Sequence, residues 1–236
     1  MTNLTHYEIP QWVASAFLLL IPLPFVLLLH FIWREAKQHA LRQAFPLSLL
    51  FFVLYVGYVI AASLLGWFDQ VLFPPKVLLM STFPYAFLLF GLLPKTKSFQ
   101  LITEHAAVDK LIQLHIFRVI GSFFIILALY DALPPGFAYI AGFGDLITAI
   151  SSVFVAQALR QKKSYAQRLA VAWNLFGTVD ILFTAIAANA LTKISIDTGA
   201  MGVDTLAFFP FSLIPAFAPP TILMLHWVIY QKLHKK

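Results

Sequence analysis

The sequence predicts an all-α polytopic membrane protein, a bundle of seven transmembrane helices with the N-terminus outside and the C-terminus cytoplasmic. Three observations carry that prediction. The 236 residues are 61% hydrophobic and 11% charged, whereas a soluble domain carries roughly 25% charged residues. Seven apolar stretches come near the ~20 residues a helix needs to cross the hydrocarbon core. Lys and Arg also fall in alternate loops, the pattern by which membrane proteins set their orientation.

The first stretch covers residues 12–33. No Lys or Arg precedes it and no A-x-A-like site follows, so it is expected to be retained rather than cleaved as a signal peptide. Pro22 and Pro24 are expected to kink it. The second and third stretches cover 46–66 and 77–93. After the third, 96–107 is expected to lie along the interface as a short amphipathic segment, with Phe99, Leu101 and Ile102 toward lipid.

The fourth and fifth stretches, 108–130 and 135–159, are joined by the turn DALPPGF. The sixth covers 169–191, and IDTGAMGVD at 196–204 reads as an exposed loop. The seventh, 205–230, holds Pro210, Pro215, Pro219 and Pro220. Prolines remove backbone donors, and the freed carbonyls are tolerated in hydrocarbon only where protein or a watery cavity covers them. A discontinuous helix lining a site and a kinked helix with a loop-like outer end are both open. No loop is long enough for a soluble domain, so residues 1–236 are read as one transmembrane domain.

Of the sixteen Lys and Arg, thirteen fall on one side: Arg34, Lys37, Arg42, Lys95, Lys97, Lys110, Arg160, Lys162, Lys163, Arg168, Lys232, Lys235 and Lys236. Lys76 and Lys193 fall on the other. By the positive-inside rule the first side is cytoplasmic, and an odd number of spans agrees. The expected location is a cell membrane, as in a bacterial inner membrane, with the lipid bilayer as the main partner. The net charge of +6 is thereby a topology signal, and no nucleic-acid partner is expected. The absence of Cys excludes disulfides, thiolate metal sites and thioether-linked haem. G-x-G-x-x-G, Walker, H-E-x-x-H and G-x-S-x-G patterns are absent. The seventh stretch has no Lys for a retinal Schiff base, which excludes a rhodopsin.

Three charges lie deep in the apolar stretches. Counting 1.5 Å per residue, Arg118, Asp145 and Asp180 all fall near the midplane. A charge there costs about 2.5–3.5 kcal/mol on insertion scales and is rarely present without a partner or a task. Arg118, Asp145, Asn174, Asp180 and His115 are therefore the candidate substrate-binding or proton-relay residues. The corresponding function is a small-molecule or proton-linked transporter, and the competing one a structural clasp in an accessory subunit. Helical spacing puts Leu111, His115, Arg118, Ser122 and Ile125 on one face, and Gly121, Gly142, Gly144 and Gly177 suit close helix contact. His30, His115 and His226 lie at similar depth and are candidates for a metal or haem. They would make the chain a membrane-embedded enzyme acting on a lipid or quinone. No catalytic residue, cofactor or oligomeric state follows from the sequence.

The patterns Arg118-x-x-Gly121, Gly142-x-Gly144-Asp145 and Trp173-Asn174-Leu175-x-Gly177-x-x-Asp180 resemble those of a set of uncharacterised bacterial multi-spanning membrane proteins. The resemblance covers about 113–226 and implies no particular activity.

Overall fold

The computed structural model describes residues 9–235. Among them seven helices are long and apolar enough to cross a membrane: Gln11–Gln38, Ala44–Leu64, Leu78–Lys95, Val108–Leu129, Pro135–Arg160, Ala166–Thr198 and Leu213–His234. No strand occurs among the described residues. The chain is an integral, multi-pass membrane protein. Spans four and seven are the most buried and form its centre with five and six; spans one to three are more exposed.

The spans run alternately, and contacts between their ends show it. At one end Lys110 reaches the carboxylate of Glu35 at 2.9 Å, Arg160 reaches Asp109 at 3.2 Å, and Lys232 donates to the carbonyls of Thr103 and Glu104. These residues bring together the loops that hold most of the Lys and Arg, so this is called the basic end. At the opposite end Thr205 donates to the carbonyl of Ala132 at 2.6 Å, and Trp12 packs edge-on against Tyr130. Toward that end Phe17 contacts Phe123 and Phe211, with ring centroids 5.2 Å apart in both pairs. Leu111, Ile112, Trp173 and Ile229 belong to a second apolar cluster toward the basic end. In hydrocarbon such contacts hold helices together by close packing rather than by expulsion of water.

The prolines of span one stand where two helices meet. The helix ends at Leu20 and resumes at Pro22, leaving a break at Ile21. In span seven the prolines resolve the alternatives left open by the sequence. Residues 208–212 form no regular helix, and a continuous helix then covers Leu213–His234 with Pro219 and Pro220 inside it. The span therefore begins several residues later than the sequence pattern predicts, and its outer end is loop-like.

Pro219 and Pro220 cannot donate to the carbonyls four residues earlier, those of Pro215 and Ala216. Both acceptors are satisfied from neighbouring spans. Thr82 Oγ1 donates to Pro215 at 2.8 Å, and the Tyr55 hydroxyl donates to Ala216 at 2.8 Å. Thr82→Val is expected to lose about 1–3 kcal/mol, the cost of an orphaned buried acceptor. Adding Pro219→Ala, which restores the helical donor, is expected to recover most of it. Thermal unfolding of the single and double variants in detergent checks this, and equal losses in both would show that the carbonyl is not the cause.

Two expectations are corrected. Residues 97–105 do form a short helix, Lys97–His105, capped by Thr96, but Ile102 is buried rather than turned to lipid. It packs with Ala36 and Ala44, while Leu101 is exposed. The sixth helix also continues through Ile196 and Asp197 to Thr198, and only Gly199, at φ 73°, ends it. That left-handed conformation suits glycine and stops the helix.

Candidate functional site

Span four is not a uniform α-helix. Val108–Leu114 is α-helical, His115–Gly121 winds as a 3₁₀-helix, and Ser122–Leu129 is α-helical again. A 3₁₀ turn has three residues, so side chains three apart eclipse one another. His115, Arg118 and Gly121 therefore stand in one row, and all three are buried. The α-helical spacing expected for this face put Ser122 in the row instead; the tighter winding replaces it with Gly121.

The row faces spans five, six and seven. Arg118 donates through Nε to Asp145 Oδ1 at 2.6 Å and through Nη2 to Asp180 Oδ2. Its Nη1 donates to the carbonyl of Gly177 at 3.2 Å and lies 3.3 Å from His226 Nε2. A guanidinium has five N–H donors and no acceptor, so these contacts use four of them. The Arg118 side chain is fully buried, and those of Asp145 and Asp180 are nearly so.

The hydrogen bonds also fix the state of His226. Because Arg118 can only donate, His226 Nε2 accepts, and the proton of this neutral imidazole sits on Nδ1. Nδ1 then donates to Asn174 Oδ1 at 2.8 Å, and Asn174 Nδ2 donates back to the His226 carbonyl at 3.2 Å. Donors and acceptors alternate correctly along the chain from Arg118 to His226 and Asn174.

Each partner occupies space that a glycine leaves open. A Cβ on Gly121 would overlap Asp145, and one on Gly144 would overlap the Asp180 carboxylate. A Cβ on Gly177 would stand 2.6 Å from His226 Cε1 and 3.1 Å from Arg118 Nη1. Gly142 does the same for helix approach, since its Cβ would meet Ile125 Cγ1 at 2.6 Å and the Gly121 carbonyl at 3.0 Å. Trp173 ties span six to span five by donating to the Thr148 carbonyl at 3.2 Å and Ser151 Oγ at 3.1 Å. The glycines and polar residues of the three sequence patterns thus serve one buried layer.

His115 completes the layer differently. Its ring centroid is 4.3 Å from that of His226 and 5.1 Å from that of Trp173. It is fully buried, yet neither ring nitrogen has a hydrogen-bond partner among the described residues. A cavity of about 40 Å³ borders Arg118 and Asp145 on the side of the break in span one, between Ile21, Pro24 and Phe217.

The structure therefore brings Arg118, Asp145, Asn174, Asp180 and His115 into one cluster. The three-histidine grouping does not form. His30 is exposed and packs on Trp33 at 5.8 Å, away from His115 and His226. Among the described residues no group of three metal-ligating side chains occurs. The sequence alone offers His226 only as a metal or haem candidate. The signal for its actual place is Arg118 itself, whose five N–H donors leave some free when each carboxylate takes one or two, so that a neutral acceptor at the same depth can be used.

The family model described as "Domain of unknown function (DUF8737)" matches residues 74–234. That stretch includes spans three to seven and every member of the buried layer. No curated protein and no solved structure matches the chain. The match covers well over half of the sequence, and the chain belongs to the DUF8737 family.

Proposed function

We propose that the chain is a proton-linked membrane transport protein whose charge-handling site is the layer of Arg118, Asp145, Asp180, His226, Asn174 and His115. The observation that carries this reading is a charge imbalance. One guanidinium faces two carboxylates, so with both ionised a single negative charge remains inside the bundle. Uncompensated charge at membrane depth is costly. Binding one proton, or one cation, removes it.

His115 supports the reading as a second acceptor. It lies against His226 with both ring nitrogens unpartnered among the described residues. With four donors engaged, the guanidinium is closed to substrate in this arrangement. An anionic substrate group would take the place of one carboxylate, and the displaced carboxylate would take up the proton. The orientation belongs to the same proposal: the basic end faces the cytoplasm and the N-terminus lies outside, as in a bacterial inner membrane.

The engagement of four of the five Arg118 donors favours a second reading, in which the layer is only a clasp that fixes helix packing. Transport separates the two. Purified protein in liposomes, given an imposed potential and a panel of small organic anions, is read by a pH dye in the lumen. A proton influx dependent on one of the anions is expected in the wild type and not in Asp145→Asn or Asp180→Asn variants that insert and fold. No influx with any anion, or an influx unchanged by both substitutions, overturns the transport reading.

A further inference from the structure

Away from the charged layer, the basic end carries a lateral cleft of about 460 Å³ between spans one, two, three and seven, bordered by the short helix Lys97–His105. This volume is within the range of about 300–1,000 Å³ typical of ligand pockets. Leu28, Phe52, Tyr85, Leu89 and Met224 form its apolar wall, and Ser48, Ser98 and Thr103 supply hydroxyls. Its depth is closed by the hydrogen bond between the Tyr85 hydroxyl and Thr221 Oγ1, at 3.0 Å. Leu47 and Leu92, on spans two and three, also line it and are exposed. The cleft thus opens sideways from the bundle, where the surroundings are hydrocarbon.

Charge at the mouth selects among apolar occupants. Two acidic groups at this end have cationic partners, Glu35 with Lys110 and Asp109 with Arg160, while Lys232 donates to the backbone carbonyl of Glu104 and leaves its carboxylate without an ion pair among the described residues. Arg42 lies two residues before Ala44, and Lys95 and Lys97 flank Thr96; Ala44 and Thr96 line the cleft. These three cations are exposed and have no carboxylate partner among the described residues. The N-terminus of the helix Lys97–His105 stands at the same place, and its dipole also favours negative charge.

We propose that the cleft holds one acyl chain of an anionic phospholipid, with the phosphate held at the rim by Arg42, Lys95 and Lys97. The hydroxyls of Ser48 and Ser98 are placed to meet the glycerol and ester region. The site is independent of the charged layer and of any transport by it.

Native mass spectrometry tests the proposal on purified protein in detergent, incubated with equimolar phosphatidylglycerol and phosphatidylcholine of the same acyl chains. A single adduct with phosphatidylglycerol in preference to phosphatidylcholine is expected. Lys95→Gln with Lys97→Gln is expected to lower that preference about fivefold for each charge removed. Leu47→Trp with Leu92→Trp, which narrows the cleft from its exposed rim, is expected to abolish the adduct. Leu54→Trp, at an exposed position of span two outside the cleft, is expected to retain it. Unchanged melting in the lysine and Leu54 variants shows that the comparison is made on folded protein. Equal adducts of the two lipids, or a narrowed protein that binds like the wild type, overturns the proposal in favour of ordinary surrounding lipid.

Discussion

Arg118→Met is expected to lose about 3–5 kcal/mol of stability, the cost of breaking a buried ion pair and leaving its partners behind. The loss comes from what remains rather than from what is removed. Asp145 and Asp180 keep their places with 11% and 7% side-chain exposure, and the Gly177 carbonyl and His226 Nε2 lose a donor. Arg118→Lys is expected to recover little, because an ammonium cannot span both carboxylates as the planar fork does. Adding Asp145→Asn and Asp180→Asn to Arg118→Met is expected to recover most of the loss, since no charge is then stranded. Thermal unfolding of the purified variants in detergent is the measurement. An Arg118→Met protein that melts with the wild type would mean that the layer contributes nothing to holding the spans together.

Gly144→Ala is expected to be the most damaging of the small substitutions. The new methyl would coincide with the Asp180 carboxylate, so either spans five and six separate or the carboxylate leaves Arg118. Overpacking alone costs about 1–3 kcal/mol, and loss of the ion pair adds to it. Gly177→Ala is expected to behave similarly through His226. Gly57→Ala is the control, since nothing lies within 4 Å of a Cβ there. In mid-helix it is expected to stabilise by about 0.5–1 kcal/mol. If Gly144→Ala and Gly57→Ala melt alike, the close approach around Asp180 is not a constraint.

The seven spans were legible because apolar length is a direct demand of the bilayer, met by each helix separately. That Arg118, Asp145 and Asp180 lie at one level of the bundle was legible by counting along each span. What was not legible depends on how helices meet. Sequence spacing assumes a winding, and the 3₁₀ turns at 115–121 change which residue follows Arg118 in its row. His226 and His30 looked equivalent by depth, but only His226 faces a donor. The prolines of span seven announced freed carbonyls, whereas their partners Thr82 and Tyr55 lie far away in the chain. The glycines of spans four to six resembled ordinary contact residues until each was set against the side chain it admits.

The winding of span four also has a mechanical meaning. Its seven 3₁₀ residues rise about 2.0 Å each, against about 1.5 Å in an α-helix. Rewinding them would draw the two ends of the span together by about 3.5 Å and swing Arg118 by about 60° relative to His115. Such a stroke would carry the guanidinium off its carboxylates as the α-helical parts on either side slide and turn about the helix axis to follow. Spin labels near the two ends of span four should then approach one another when the layer is charge-neutralised by Asp145→Asn and Asp180→Asn. An unchanged separation would show that the segment is a rigid spacer.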